Sequence, residues 1–264
     1  MHTAMRSKLN WLVPLFLTIS LAGCGGSKTE EKSSAPAAPA AAPAPAAAID
    51  PATAGEVTGS VSFEGAAPAK IRIRMDAVPA CTEASKEAVF SEEVVVNDNK
   101  TLRNVFVYVK DGLGNRTFPA PAEPVVLDQK GCWYRPHVFG IVAGQKLEVK
   151  NSDPTNHNIH PMPSQNREWN ESMPPGASPL MKDFPRAEVM LPVKCNVHPW
   201  MKAYIGVVAH PFFAVTGDKG SFTLKGLPPG DYTIEAWQEK YGTQDQKVTI
   251  GPKESKAITF SFKG

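Results

Sequence analysis

The chain has 264 residues, 42% hydrophobic and 20% charged, with 28 Lys and Arg against 26 Asp and Glu for a formal charge of +2. That length supports one large or two small cores. A near-neutral balance with no polybasic arm excludes a nucleic-acid binder of the usual electrostatic kind, whose affinity comes from clustered cations on phosphates.

At the start of the chain, Arg6 and Lys8 precede the apolar run "LNWLVPLFLTISLAG", and Cys24 follows it. This order of basic, apolar and small residues reads as an export signal, and the run is too short for a comfortable membrane span. The "LAGC" stretch resembles the lipobox of bacterial lipoproteins. The resemblance implies a signal peptide over 1–23, a Cys24 acylated as the membrane anchor and, since Gly25 rather than Asp follows, an outer-membrane lipoprotein facing periplasm or cell surface. The other reading is a plain secretory cut that leaves Cys24 free. Losing the signal also removes Arg6 and Lys8, so the remaining charges balance. Residues 24–53 include "APAAPAAAPAPAAA", which cannot bury enough apolar surface to order itself and reads as a disordered tether.

From residue 54 the pattern predicts an all-β protein: short runs rich in Val, Ile, Phe, Tyr and Thr, punctuated by Gly, Pro, Asn and Asp. Strands are expected at 56–63, 70–75, 104–110, 124–128, 137–142, 145–151, 188–194, 203–209, 221–225, 231–237, 246–250 and 257–262. Only 81–90 offers a turn or two of helix. Three parts follow: an N-terminal β region at 54–123, a histidine-bearing domain at 124–212, and a β module at 213–264. In the last, "GSFTLKGLPPGDYTIEAW" alternates on both sides of a Pro-Pro-Gly turn, a hairpin signal.

That hairpin, with "TGSVSFEG" near residue 58, resembles the carboxypeptidase regulatory-like domain, a small β-sandwich. The resemblance implies a second sandwich interrupted by the histidine-bearing region.

In "KCNVHPWMKAY", Cys195, His198 and Met201 fall three residues apart, so a tight loop turns a thiolate, an imidazole and a thioether toward one point. Thiolate and imidazole together suit copper or zinc. The run "AGQKLEVKNSDPTNHNIH" supplies a further imidazole, His157, after a strand and a turn; His160 is the alternative, although positions three apart on a strand face opposite sides. His137 and His210 read as packing or surface residues.

The two segments together resemble the cupredoxins, the plastocyanin and amicyanin group of Greek-key β-sandwiches. The resemblance implies one type 1 copper ion held by His157, Cys195, His198 and a long axial Met201. Asn158 would tie the two ligand loops together, and Pro199 would stiffen the second. It also implies that His198 is the solvent-edge imidazole through which electrons pass. With Cys24 and Cys195 assigned, Cys81 and Cys132 remain as a disulfide or as two separate thiols.

These readings converge on a lipid-anchored one-electron carrier in the cell envelope, with a redox protein such as a cytochrome or oxidase as partner. The alternatives are a copper carrier or buffer, and a surface interaction protein in which copper is structural. No enzymatic activity is expected. Multicopper oxidase chemistry needs His-x-His pairs and a His-Cys-His bridge, whereas Lys194 and Asn196 flank Cys195.

Overall fold

Alternation of buried and solvent-facing side chains places the strands in two stacked pairs of sheets, in a computed structural model that describes residues 49–85 and 87–264. The signal segment, Cys24 and the tether as far as residue 48 lie outside the described residues. Among those described, no helix is long and apolar enough to cross a membrane.

The histidine-bearing sandwich packs a five-stranded sheet on a four-stranded one. The first has the order Glu171–Met173, His157–Pro161, Glu188–Lys194, Lys202–Val208, Val138–Val142. The second has the order Leu180–Asp183, Lys146–Asn151, Val125–Gln129, Tyr134–Arg135. Leu127, Leu147 and Val149 from one sheet meet Ile159, Leu191, Val193 and Ile205 from the other in a single core. Burying such side chains contributes about 1.5–3 kcal/mol each, and that is what holds the two layers together.

The second sandwich is discontinuous. Gly55–Glu64 lies between Ser221–Leu227, antiparallel, and Ser255–Lys263, parallel. Phe106–Asp111 lies between Phe213–Val215 and Gly230–Gln238, both antiparallel. Strands from before and after the histidine-bearing region thus share both sheets, and their inward residues, Val57, Phe63, Val107, Phe222, Ile234 and Phe260 among them, form a second core.

A third cluster joins the outer faces of the two sandwiches. Phe106 and Tyr108 pack with Val138, Met190 and Val208. Gly206 and Gly140 are register partners, and a Cβ on Gly206 would lie 2.2 Å from the Phe106 ring. Bare backbone at this pair is what lets the ring lie flat on the sheet.

The strand expected at 70–75 does not form. Arg72 makes one isolated bridge to Phe90, and Ile71 is 61% exposed. Ile73 and Met75 alone reach the first core. With no second strand to continue the ladder, the alternating pattern had nothing to pair with. The helical turn is the short helix Pro79–Ala84, opened by Pro79 and burying Cys81. Strands at 95–96, 102–103, 134–135, 157–161, 171–173, 180–183 and 213–215 were not expected; each has five residues or fewer, too short for alternation to show, and is recruited by tertiary pairing.

Candidate metal centre

The site is built where two strand ends come together. The strand Glu188–Lys194 delivers Cys195, and the chain returns into Lys202–Val208 through a closed loop: the Cys195 amide donates to Met201 O (3.1 Å) and the Met201 amide to His198 O (2.9 Å). This loop turns His198 back under Cys195, whose Sγ accepts from the His198 amide at 3.3 Å. The neighbouring strand His157–Pro161 begins with His157, facing inward. Ligand atoms of His157, Cys195 and His198 all lie within 4.8 Å of one another, and all three residues are buried. The two Nδ1 atoms are 2.9 Å apart, and His198 Nδ1 is 3.9 Å from Cys195 Sγ.

Met201 is fully buried in the same core as Cys195, and its backbone closes the loop. Asn158 bridges the two segments: its amide donates to Cys195 Sγ (3.5 Å), its Oδ1 accepts from the Asn196 amide (2.5 Å), and its Nδ2 donates to Asn170. Pro199 is exposed between His198 and the half-buried Trp200, whose ring lies 5.1 Å from that of His198. His160 turns away, with Nε2 on Glu168 (2.5 Å) and Nδ1 on Asn196 (3.2 Å). His137 and His210 lie elsewhere: His137 is bound by Lys202 O and Glu239, His210 by Val109 O.

Sequence reasoning missed Asp153. Its Oδ2 takes a hydrogen bond from His157 Nε2 at 2.8 Å, and its carboxylate also accepts from the Gly131 amide (2.6 Å) and the Cys132 amide (2.7 Å). The signal was an acid four residues before a histidine, in the turn "NSDPTNH". Tyr134 was missed as well: its hydroxyl contacts both Asn158 O (2.5 Å) and Lys194 O (3.0 Å), clamping the backbones of the two ligand segments.

Cys81 and Cys132 form a disulfide, with Cα atoms 5.4 Å apart. Its position corrects the expected role of His198. That imidazole is 1% exposed, and its Nε2 faces Cys81 Sγ at 3.6 Å rather than solvent. The stretch between the two sandwiches' first strands, carrying Cys81, covers the edge that was expected to be open.

The buried groups of the site act strongly on one another. Burial pushes the Asp153 carboxyl up, but His157 and the Cys132 and Gly131 amides outweigh it and hold Asp153 below the usual carboxylate value. Burial likewise raises the Cys195 thiol, yet His157 and the Asn158, His198 and Val197 amides bring it below the usual thiol value. His157 is disfavoured as a cation by burial and favoured by Asp153 and Cys195, with a net upward shift. Burial and then the charge of His157 lower His198. His157 and Asp153 thus each favour the charged form of the other, and His157 favours the thiolate form of Cys195, which offsets part of the cost of burying them.

Residues 203–263 match the sequence model of the carboxypeptidase regulatory-like domain. The match begins in the strand Lys202–Val208 of the histidine-bearing sandwich and runs through the C-terminal strands. The first strands of the second sandwich, Gly55–Glu64 and Phe106–Asp111, lie outside it. No curated protein matches the chain. Similar solved structures include a Cu-containing nitrite reductase from Thermus scotoductus SA-01, 20% identical over 36% of this chain and 26% of that one, with a TM-score of 0.30. A purple cupredoxin from Nitrosopumilus maritimus is 20% identical over 28% of this chain and 81% of its own, with a TM-score of 0.25. Amicyanin from Paracoccus versutus is 19% identical over 38% of this chain and 96% of its own, with a TM-score of 0.29. The chain spans about a quarter of the nitrite reductase.

Proposed function

We propose that His157, Cys195 and His198 would hold one type 1 copper ion, with Met201 as a weaker sulfur donor from the same loop, and that the chain works as a lipid-anchored one-electron carrier between redox proteins of the cell envelope. The observation that carries this reading is the convergence of two imidazoles and one thiolate on a single buried point. The donor set is soft and nitrogen-rich, and a fully buried thioether in the same loop fits copper better than zinc, which takes four strong ligands in its structural sites. Bound copper would supply a one-electron couple.

The chain's residues do the rest. Asp153 accepts the Nε2 proton of His157, fixes its tautomer and leaves Nδ1 free for the metal. Asn158 and Tyr134 hold the two ligand segments at a fixed spacing. Donors held this tightly reorganise little when the charge of the site changes. Because Cys81 covers the Nε2 edge of His198, electrons would leave across Trp200 and the exposed Pro199 instead. The complete burial of the donors favours a resident ion over a cargo to be handed on, and the reading assigns no catalytic residue.

Adding Cu(II) to the purified protein and recording its visible spectrum decides the matter. An intense thiolate-to-copper band, bleached reversibly by reductant and absent in Cys195→Ser, is expected. A colourless protein that takes up only Cu(I) would sink the carrier reading in favour of copper handling.

A further inference from the structure

His198 is buried with its two ring nitrogens facing two different sets of sulfur. Nδ1 looks toward Cys195 and His157, and Nε2 toward the disulfide. Among the described residues, the sole hydrogen-bond partner of Nε2 is Cys81 Sγ at 3.6 Å. A disulfide sulfur is a weak acceptor, and buried polar groups are ordinarily better satisfied than this. The Nε2 position is therefore an underused donor site aimed at a pair of sulfurs.

Cys81, Cys132 and His198 also form a compact group in their own right, their ligand atoms within 4.8 Å of one another and all buried. We propose that the Cys81–Cys132 pair is a latent second metal position. Reduced, its two thiols and His198 Nε2 take a soft monovalent ion, Cu(I), back to back with the His157/Cys195/His198 site. Two thiolates with an imidazole are the donors that select such an ion.

The reduction is an exchange with a dithiol: its thiolate attacks the disulfide through a mixed disulfide, the dithiol ends as its own disulfide, and Cys81 and Cys132 end as two thiols. Cu(I) then replaces the two thiol protons, and the Nε2 proton too where Nδ1 is already engaged. Both sulfurs are buried, so the exchange needs a local opening beside them. A cleft of about 720 Å³ runs beside the bridge without reaching either cysteine, lined by Ala84, Ser85, Asp153 and the two chain neighbours of Cys132, Gly131 and Trp133. Cys81 itself lies in a stretch with one short helix and one isolated bridge, tied back by Ser85 Oγ on Gly131 O (2.9 Å) and Trp133 Nε1 on Glu92 (2.5 Å). Segments with so few ladder bonds open at low free energy.

The inference shares only His198 with the proposed electron-carrier site, and the two can fail separately. The full chain, disulfide-oxidised or reduced with a phosphine, is titrated anaerobically with Cu(I) against a coloured Cu(I) chelator. One equivalent is expected for the oxidised protein and two for the reduced one. Cys195→Ser should take none oxidised and one reduced, while Cys81→Ser should take one under either condition. Equal uptake by the oxidised and reduced forms, in both the natural chain and Cys195→Ser, overturns the proposal. So does an extra equivalent that is bound equally tightly in concentrated guanidinium, since unfolded thiols would then account for it. Should the oxidised natural chain take no copper, the electron-carrier reading fails, and the reduced Cys195→Ser protein still decides this one.

Discussion

The two sandwiches are built alike and filled differently. Each stacks two small sheets, yet the histidine-bearing one gathers His157, His198, Asp153, Asn158 and Cys195 at one place, whereas the buried polar groups of the other, Thr216, Glu235, Gln238 and His210, each bond a separate neighbour. Buried polar groups persist only when satisfied. In the first sandwich they bond one another around the point where two imidazoles and a thiol converge, and in the second each is satisfied by its own neighbour. The difference teaches that the fold itself ties down the polar groups of the second sandwich, while in the first it leaves three donor atoms converging on one point.

The sharpest break comes from Cys195→Ser, which is expected to abolish the copper chromophore while leaving the far-ultraviolet β signal of both sandwiches in place. Phe260→Ala does the converse. Removing this fully buried ring from the second core should cost about 3–5 kcal/mol in guanidinium unfolding, with the copper spectrum of the folded fraction unchanged.

Asp153→Ala removes the acceptor that orients His157 and should weaken copper binding about 10–100-fold, measured by chelator competition. An unchanged affinity would show that Asp153 serves only the Gly131–Cys132 turn. Gly206→Ala tests the contact between the sandwiches: the new methyl meets the buried Phe106 ring, and overpacking of this kind costs about 1–3 kcal/mol.

The smallest effect concerns the other joint, where His137 on the first sandwich meets Glu239 on the second at 2.7 Å, and Tyr204 also donates to Glu239. Burial alone would depress His137, but Glu239, with lesser help from Glu92 and Lys202 O, raises it. The folded protein thus holds this proton more tightly than the unfolded chain does. The stabilisation is full below the unfolded value near pH 6.5 and fades as pH rises through the raised folded value. Glu239→Gln should therefore destabilise more at pH 5.5 than at pH 9, and equal losses at the two pH values would remove the ion pair from the account.

Much of the candidate site was legible because its donors come from a rigid short motif. Cys195, His198 and Met201 are bound into one loop by local amide bonds, so their spacing carries their geometry. His157 over His160 was legible too, because strand alternation separates residues three apart, and His160 does point to Glu168. Asp153 was not, since an acid in an Asn-Ser-Asp-Pro turn has the same pattern whether it caps the turn or meets an imidazole. The 70–75 run failed because alternation specifies a face but not a partner strand.

By itself the sequence determined the β class, the alternation that gives each strand its inward face, the even pair of cysteines and the donor types at 157, 195, 198 and 201. These are properties of local chemistry and period. The tertiary structure alone decided that Gly55–Glu64 and Phe106–Asp111 join strands more than a hundred residues later, and that Asp153 anchors His157. It also decided that the Cys81–Cys132 bridge lies against His198 instead of solvent. Each of these depends on which distant surfaces meet, and pairwise meeting across a chain leaves no periodic trace in the residues that do it.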